Sequence, residues 1–409
     1  MRTFLRCSAF LFPVLLSAQT DYGAYYGITC ATQDTNEVFF PVDAAILAGS
    51  AEVKTEFILD FTDDVPAEAE AAIRFAANVW GTYLISPVPI RVNVAWEDRG
   101  DRRLLASAGP ATLFRGFVGA EPNTWYPVAL AEAIAGQDLN DTGDSDINVN
   151  ANSTANWYFG TDGNTPRNQI DLVSVMMHEL GHGLGFLSSV DTVNTNQLAI
   201  GFGGRFIIYD IFLETEAGLP LTDPGVFTNP SPELLTAVTG NDLTFDAPLA
   251  RRENNGAIVP LFAPSTFDVG SSVSHLNEAT YRPGTENALM TPFLSSGESV
   301  HDPGPVTLGI FADMGWPLVF DLTSTQEAIR GELAVFPNPA SNDITIRPEP
   351  GAQLRQVQLY GADGRLLRRQ AVVPGLPAIQ LSVADLRPGM YTLLLSGESG
   401  NWRSRVVVR

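Results

Sequence analysis

The chain has 409 residues, a formal net charge of −22 and two cysteines. Its length and 45% hydrophobic content allow a sizeable core without disulfides, and its acidity argues against a nucleic-acid partner, whose phosphates it would repel. Beyond the first residues no run approaches the ~20 uninterrupted apolar residues of a membrane span, so no transmembrane segment is expected.

Residues 1–18, MRTFLRCSAFLFPVLLSA, carry Arg2 and Arg6, a short apolar stretch and a small-residue end. That is the layout of a secretory signal peptide. Cys7 leaves with it, and Cys30 then has no partner for an intramolecular disulfide. Residues 19–50 are rich in Ala, Gly and polar groups, with no clear period, and read as an N-terminal segment or short prosegment.

The body starts near residue 51. Residues 55–61 (TEFILDF) read as a strand. Residues 66–84 read as a helix, with Pro66 at the start, Glu68 and Glu70 in the first turn, and Ile73, Ala77, Trp80 and Leu84 along one face. Residues 90–96 (IRVNVAW) alternate as a second strand. Further strands are expected near 125–130 and at 146–150. Strand, helix, strand is the opening of a mixed α/β sheet, and the fold class is α+β. Between the later strands lies GQDLNDTGDSDIN, where Asp138, Asn140, Asp141, Asp144 and Asp146 offer hard oxygens that suit Ca²⁺. The spacing is not that of an EF-hand, and a solvated acidic turn is the alternative. Residues 156–163 (NWYFGTDG) read as an edge strand that a peptide would extend, or as plain core.

Residues 171–187, DLVSVMMHELGHGLGFL, carry the chemistry. His178 and His182 are four apart, so on a helix both imidazoles leave one face and suit two ligands of one Zn²⁺ ion. Glu179 between them stands where it takes a proton from a water on that ion. Asn168 is the expected N-cap, with Asp171 on the positive end of the helix dipole. Leu172, Val175, Met176, Leu180 and Leu184 form the apolar stripe. Gly181, Gly183 and Gly185 imply close backbone packing and a sharp exit. Two of the four histidines of the chain lie in this one turn, which weakens the reading of them as ordinary core or surface residues.

Zinc with an open position needs a third protein ligand. His275, in SSVSHLNE, and His301, in GESVHDPGPV, remain. The motif HELGHGLGF, then SHLNE, then Met290 in NALMTP, then TLGIFADMGW resembles, in that order, the leishmanolysin-like metzincin metalloproteases over roughly residues 55–317. The common metzincin third histidine would fall at Ser188, so the local pattern fails here and the distant-histidine type is the one resembled. The resemblance implies a metzincin-like domain over 51–320, a mixed twisted sheet plus active-site helix. It further implies His178, His182 and His275 as ligands, Glu179 as general base, Met290 as a supporting turn, and 189–274 as an insertion. His301 is the rival ligand. Within the insertion, 206–213 reads as strand or short helix and 231–238 as a short helix. Some metzincins are held latent by a prosegment thiolate, which makes Cys30 a candidate for that role; a buried inert thiol is the alternative.

Residues 321–332 read as a linker. Residues 333–409 form short alternating strands between turns, a small all-β sandwich. Nine Arg stand against five Asp or Glu there, which with Arg2 and Arg6 leaves about −28 on residues 19–332. VFPNPASNDITI, LYGADGR and DLRPGMYTLLL resemble the C-terminal sorting domain of the type IX secretion system of Bacteroidetes. That resemblance implies the type IX machinery as partner, passage through the periplasm and outer membrane, and a secreted or cell-surface protein; an accessory binding sandwich is the alternative. The expected activity is a zinc endopeptidase acting on proteins or peptides. The rival is a non-catalytic secreted zinc-binding protein for adhesion or glycans on the same fold, and a zinc hydrolase of another bond is a third.

Overall fold

The computed structural model describes residues 28–42, 46, 51–62, 64–319, 334–347, 354–360, 366–372, 376, 378–384, 386–397 and 400–409. The expected signal peptide (1–18) and linker (321–332) lie outside the described residues. The chain is mixed α and β, and among the described residues its core forms two clusters, one within 28–316 and one within 340–408.

The first cluster is built on a six-stranded sheet. Its strands are β1 (Ile28–Phe40), β2 (Phe57–Phe61), β3 (Ile90–Glu97), β4 (Leu104–Pro110), β5 (Ile147–Asn152) and β6 (Phe293–Val300), in the order β6-β1-β4-β5-β3-β2. β2, β3 and β5 run parallel, β4 runs antiparallel to β5, and β1 is antiparallel to β4 and parallel to β6. A parallel pair needs a crossover, and helix α1 (Ala67–Tyr83) supplies it between β2 and β3. Its buried face is Ala69, Ala72, Ile73, Ala76, Ala77 and Trp80, at helical spacing, with Glu68 and Glu70 in the first turn. Small residues let α1 lie close to its neighbours, while Trp80 buries fully, worth ~2–3 kcal/mol. Its indole N–H donates to the Met177 carbonyl at 2.9 Å, which ties α1 to the helix that carries His178 and His182.

Two local expectations change. The apolar run at 125–130 splits into a strand, Thr124–Pro127, and helix α2 (Val128–Ala135). Residues 156–163 give only the two-residue strand Trp157–Tyr158, paired with Ile170–Asp171 and outside the main sheet. In the insertion, Phe206–Ile207 is strand and Ile208–Phe212 a 3₁₀ turn, and the helix Pro232–Ala237 is capped by Ser231, whose side chain accepts from Leu234 N. Residues 19–50, read as having no period, contain β1. Helix α3 (Leu172–Gly183) carries the motif, and α4 (Pro305–Met314) closes the body. The tail is a three-stranded and a four-stranded sheet over its own core of Ile344, Val357, Leu393, Trp402 and others, an all-β arrangement. No helix among the described residues is long and apolar enough to cross a membrane.

Candidate metal centre

Helix α3 begins one turn later than expected. Asp171, not Asn168, is the N-cap; its Oδ2 accepts from Ser174 N at 2.9 Å and from Ser174 Oγ at 2.6 Å. The pairing of Ile170–Asp171 with Trp157–Tyr158 holds the preceding residues extended, so the helix cannot start sooner. The end of α3 matches a Schellman motif. Phe186 N donates to Gly181 O and Gly185 N to His182 O, with Gly185 at φ +124°. Gly181 lets Met290 in, since a Cβ there would lie 2.7 Å from its sulfur. Gly183 lets β5 in, since a Cβ there would lie 2.3 Å from Ile147 Cγ2.

Three imidazoles converge at this end of α3. His178 and His182 Nε2 are 2.9 Å apart, and His275 Nε2 lies 3.2 Å from each. All three rings are buried. Every Nδ1 faces a backbone carbonyl at 2.7 Å: His178 that of Leu289, His182 that of Phe186, His275 that of Ser271. A carbonyl only accepts, so each Nδ1 carries the hydrogen. Burial pushes His178 down to about 4 and the other two well below their ordinary value, so the rings are neutral and each Nε2 is a bare lone pair. Three lone pairs face one another with no proton between them, an arrangement that a cation relieves. Imidazole bonds of ~2.0–2.1 Å in a tetrahedral site would set the nitrogens ~3.3–3.4 Å apart, close to the spacing here. The carbonyls fix tautomer and ring orientation as metal-site supports do. The three histidines thus form a buried group able to hold a metal ion.

The third histidine is brought in by three contacts. Ser188, where the common metzincin histidine would stand, donates its backbone N–H to Ser274 Oγ at 3.0 Å and its hydroxyl to Asp210 at 2.7 Å. Tyr209 donates to the Val273 carbonyl at 3.1 Å, and Val273 takes φ +73°, a strained setting for a β-branched residue. Leu276 N donates to the Met290 carbonyl at 2.8 Å, so the His275 loop and the methionine turn are one unit. That turn, closed by Thr291 N on Ala288 O, also presents the Leu289 carbonyl to His178.

Glu179 is fully buried, and neither carboxylate oxygen has a hydrogen-bond partner. Burial raises its pKa well above the ordinary carboxyl value, partly offset by the backbone N–H groups of Cys30 and Ala108, which point toward it. Cys30 Sγ, a His178 nitrogen and a Glu179 oxygen lie within 4.8 Å of one another. The Cys30 thiol is buried and pushed upward by that burial and by Glu179.

His301 is not part of the group. Its Nε2 donates to Asp171 Oδ2 at 2.7 Å, both side chains fully buried, so the rival ligand instead braces the start of α3. Among the described residues no three of the four aspartates named for Ca²⁺ bring ligand oxygens within 4.8 Å of one another. Asp138, Asp141 and Asp144 are exposed, whereas Asp146 is buried and accepts from Arg91 N at 2.8 Å and Asn140 Nδ2 at 2.9 Å. The residues missed in sequence are mostly backbone: the carbonyls of Phe186, Ser271 and Leu289 leave no side-chain signal. Asp210, which accepts from Ser188, Ser189 and Ile207, had only its place in an apolar run to mark it.

Residues 334–409 match the family described as secretion system C-terminal sorting domain. The tail is therefore a type IX sorting domain, which makes the type IX machinery its partner and the chain a secreted or cell-surface protein. Residues 124–202, which include His178, Glu179 and His182, match the family described as SPBPB7E8-like. A stretch of 62 residues is 40% identical to the uncharacterized protein PB7E8.01 of Schizosaccharomyces pombe, covering 15% of this chain and 11% of that protein. The sulfur carrier protein SoxY from Chlorobium limicola f thiosulfatophilum aligns at 12% identity over 19% of this chain and 76% of its own, with a TM-score of 0.15, too low to bear on the fold.

Proposed function

We propose that the chain is an exported zinc-dependent endopeptidase of metzincin type, with the distant third histidine of the leishmanolysin-like enzymes. The observation that carries this reading is the set of three convergent imidazole lone pairs, 2.9–3.2 Å apart, with a fully buried carboxylate one residue from the first of them. His178, His182 and His275 would hold the ion. A three-histidine donor set suits zinc, which when bound supplies Lewis acidity toward a carbonyl and a water acidified to a pKa of ~7. Glu179 accepts the proton of the attacking water and returns it to the leaving amine. Met290 lies against Gly181 beneath the helix and keeps the His275 loop in place. A binding protein for adhesion or glycans has no use for a buried carboxylate at this point, which is costly to take out of water.

The test uses the secreted, processed protein and casein. Cleavage is expected to stop on removal of zinc by a chelator and to return with zinc. Glu179→Ala should keep zinc and lose on the order of 10²–10⁴-fold in turnover. Retained cleavage in that variant would remove Glu179 from the mechanism, and zinc-loaded wild type without any cleavage would favour the binding protein.

A further inference from the structure

The 3₁₀ turn of the insertion, Ile208–Phe212, carries two adjacent residues that are both fully buried, Tyr209 and Asp210. Asp210 is held by hydrogen-bond donors on both oxygens. Its Oδ1 accepts from Ser188 Oγ at 2.7 Å and from Ser189 N at 3.0 Å. Its Oδ2 accepts from Ser189 Oγ and from Ile207 N, the latter at 3.1 Å. A charged carboxylate only accepts, so these donors suit the ionised form and make strong bonds to it. Burial pushes the carboxyl pKa up, and the same donors pull it back. The turn is thereby tied to the exit of α3. It is also tied to the segment that brings in the third histidine. Ser188 donates its backbone N–H to Ser274 Oγ at 3.0 Å, one residue from His275. The Tyr209 hydroxyl donates to the Val273 carbonyl at 3.1 Å, and Val273 stands at φ +73°. A β-branched residue keeps that conformation only where its surroundings impose it. The Tyr209 ring further packs on Phe186, 5.3 Å between centroids, and the Phe186 carbonyl faces His182 Nδ1.

We propose that Asp210 and Tyr209 are positioning residues of the three-histidine centre: Asp210 locks the exit of α3 to the insertion, and Tyr209 holds residues 273–274 in their strained course, so that His275 meets His178 and His182 at the spacing of a three-nitrogen metal site. The proposal rests on the reading of those histidines as one metal centre. The supports of the imidazole rings themselves are backbone carbonyls, which no substitution removes. Asp210 and Tyr209 act one step further out and through side chains, so they are open to test. Asp210→Asn keeps the shape and replaces one oxygen by an NH₂ group. Each carboxylate oxygen holds one backbone N–H, that of Ser189 on Oδ1 and that of Ile207 on Oδ2. In either orientation of the amide, one backbone N–H therefore faces another donor. A serine hydroxyl can turn to accept instead; a backbone N–H cannot. Tyr209→Phe keeps the ring and removes only the donor to Val273.

The experiment uses the full chain, its Asp210→Asn variant and its Tyr209→Phe variant. Three quantities are measured on each: the zinc Kd by competition with a chelator, the visible spectrum with Co²⁺ in place of zinc, and the melt of the metal-free chain. Asp210→Asn is expected to raise the zinc Kd by ~10–100-fold and Tyr209→Phe by about tenfold, the usual loss when an outer support of a metal ligand is removed. The cobalt bands of both should weaken and shift, since a histidine that withdraws is replaced by water and the site leaves tetrahedral geometry. A role confined to folding would lower the melting temperature of the metal-free chain while the folded protein kept the parent's Kd and cobalt spectrum. That result, or folded variants like the parent in all three quantities, would overturn the proposal and leave the metal centre itself standing. If Asp210→Asn does not fold, Tyr209→Phe decides by the same Kd and spectrum. A parent chain that takes up neither zinc nor cobalt would overturn the three-histidine centre and this proposal with it.

Discussion

Gly183→Ala sets two opposing effects against each other. In a helix, alanine is favoured over glycine by ~0.8–1.0 kcal/mol, so on propensity alone the variant gains stability. The added methyl, however, meets Ile147 at 2.3 Å from Cγ2 and 2.9 Å from Cγ1 and Cδ1. Carbon contacts prefer ~3.5–4.0 Å, so α3 must retreat from β5 by about 1 Å or Ile147 must leave its rotamer. Ile147 is fully buried in the central sheet, so its displacement disturbs the core. Overpacking of this kind costs ~1–3 kcal/mol, which matches or outweighs the propensity gain. The expected net loss of up to ~2 kcal/mol lowers the melting temperature by up to ~8 °C for a body of this size. Because His182 lies one residue before Gly183, zinc affinity should fall as well. The assay is a thermal melt and a zinc titration of Gly183→Ala, Ile147→Ala and the double variant. The double should be less destabilised than the sum by at least ~1 kcal/mol, since truncating Ile147 removes the clash. A Gly183→Ala protein more stable than its parent, with an additive double, would refute the close-packing account of this glycine.

Burial raises Glu132 to about 7. Its unfolded value is ~4.3, so between the two the folded chain holds the extra proton and stability falls as pH rises through that window. Glu132→Gln should therefore match the parent in melting temperature near pH 4.5 and exceed it at pH 8; a difference that does not change with pH would contradict this. Deletion of residues 334–409 should abolish appearance of the protein in the medium while leaving the melt and zinc content of the body unchanged. A truncated chain that still reaches the medium would count against the sorting role.

The histidine group was readable where side chains carry it. The four-residue spacing of His178 and His182 needs only a helix to bring the two rings together, and the helix is there. The resemblance favours His275 over His301 because only His275 precedes Met290, and the structure places the His275 loop and the Met290 turn in one hydrogen-bonded unit. The start of α3 was misplaced because Asn168 and Asp171 are both capping types, and the choice is made by a strand pairing with residues 157–158. The run at 125–130 was read wholly as strand because a short apolar stretch does not distinguish strand from buried helix. β1 was hidden for a different reason. Its TQDTNE stretch shows no clean alternation, and its partners lie some 75 and 260 positions away, so nothing local marks it.

The most direct test of the account is the zinc content of the parent chain, His275→Ala and His301→Ala, loaded with zinc and dialysed side by side. One zinc per chain is predicted in the parent and in His301→Ala, although the latter should melt lower for want of the contact to Asp171, and none in His275→Ala. Zinc retained by His275→Ala and lost by His301→Ala would contradict the three-histidine centre.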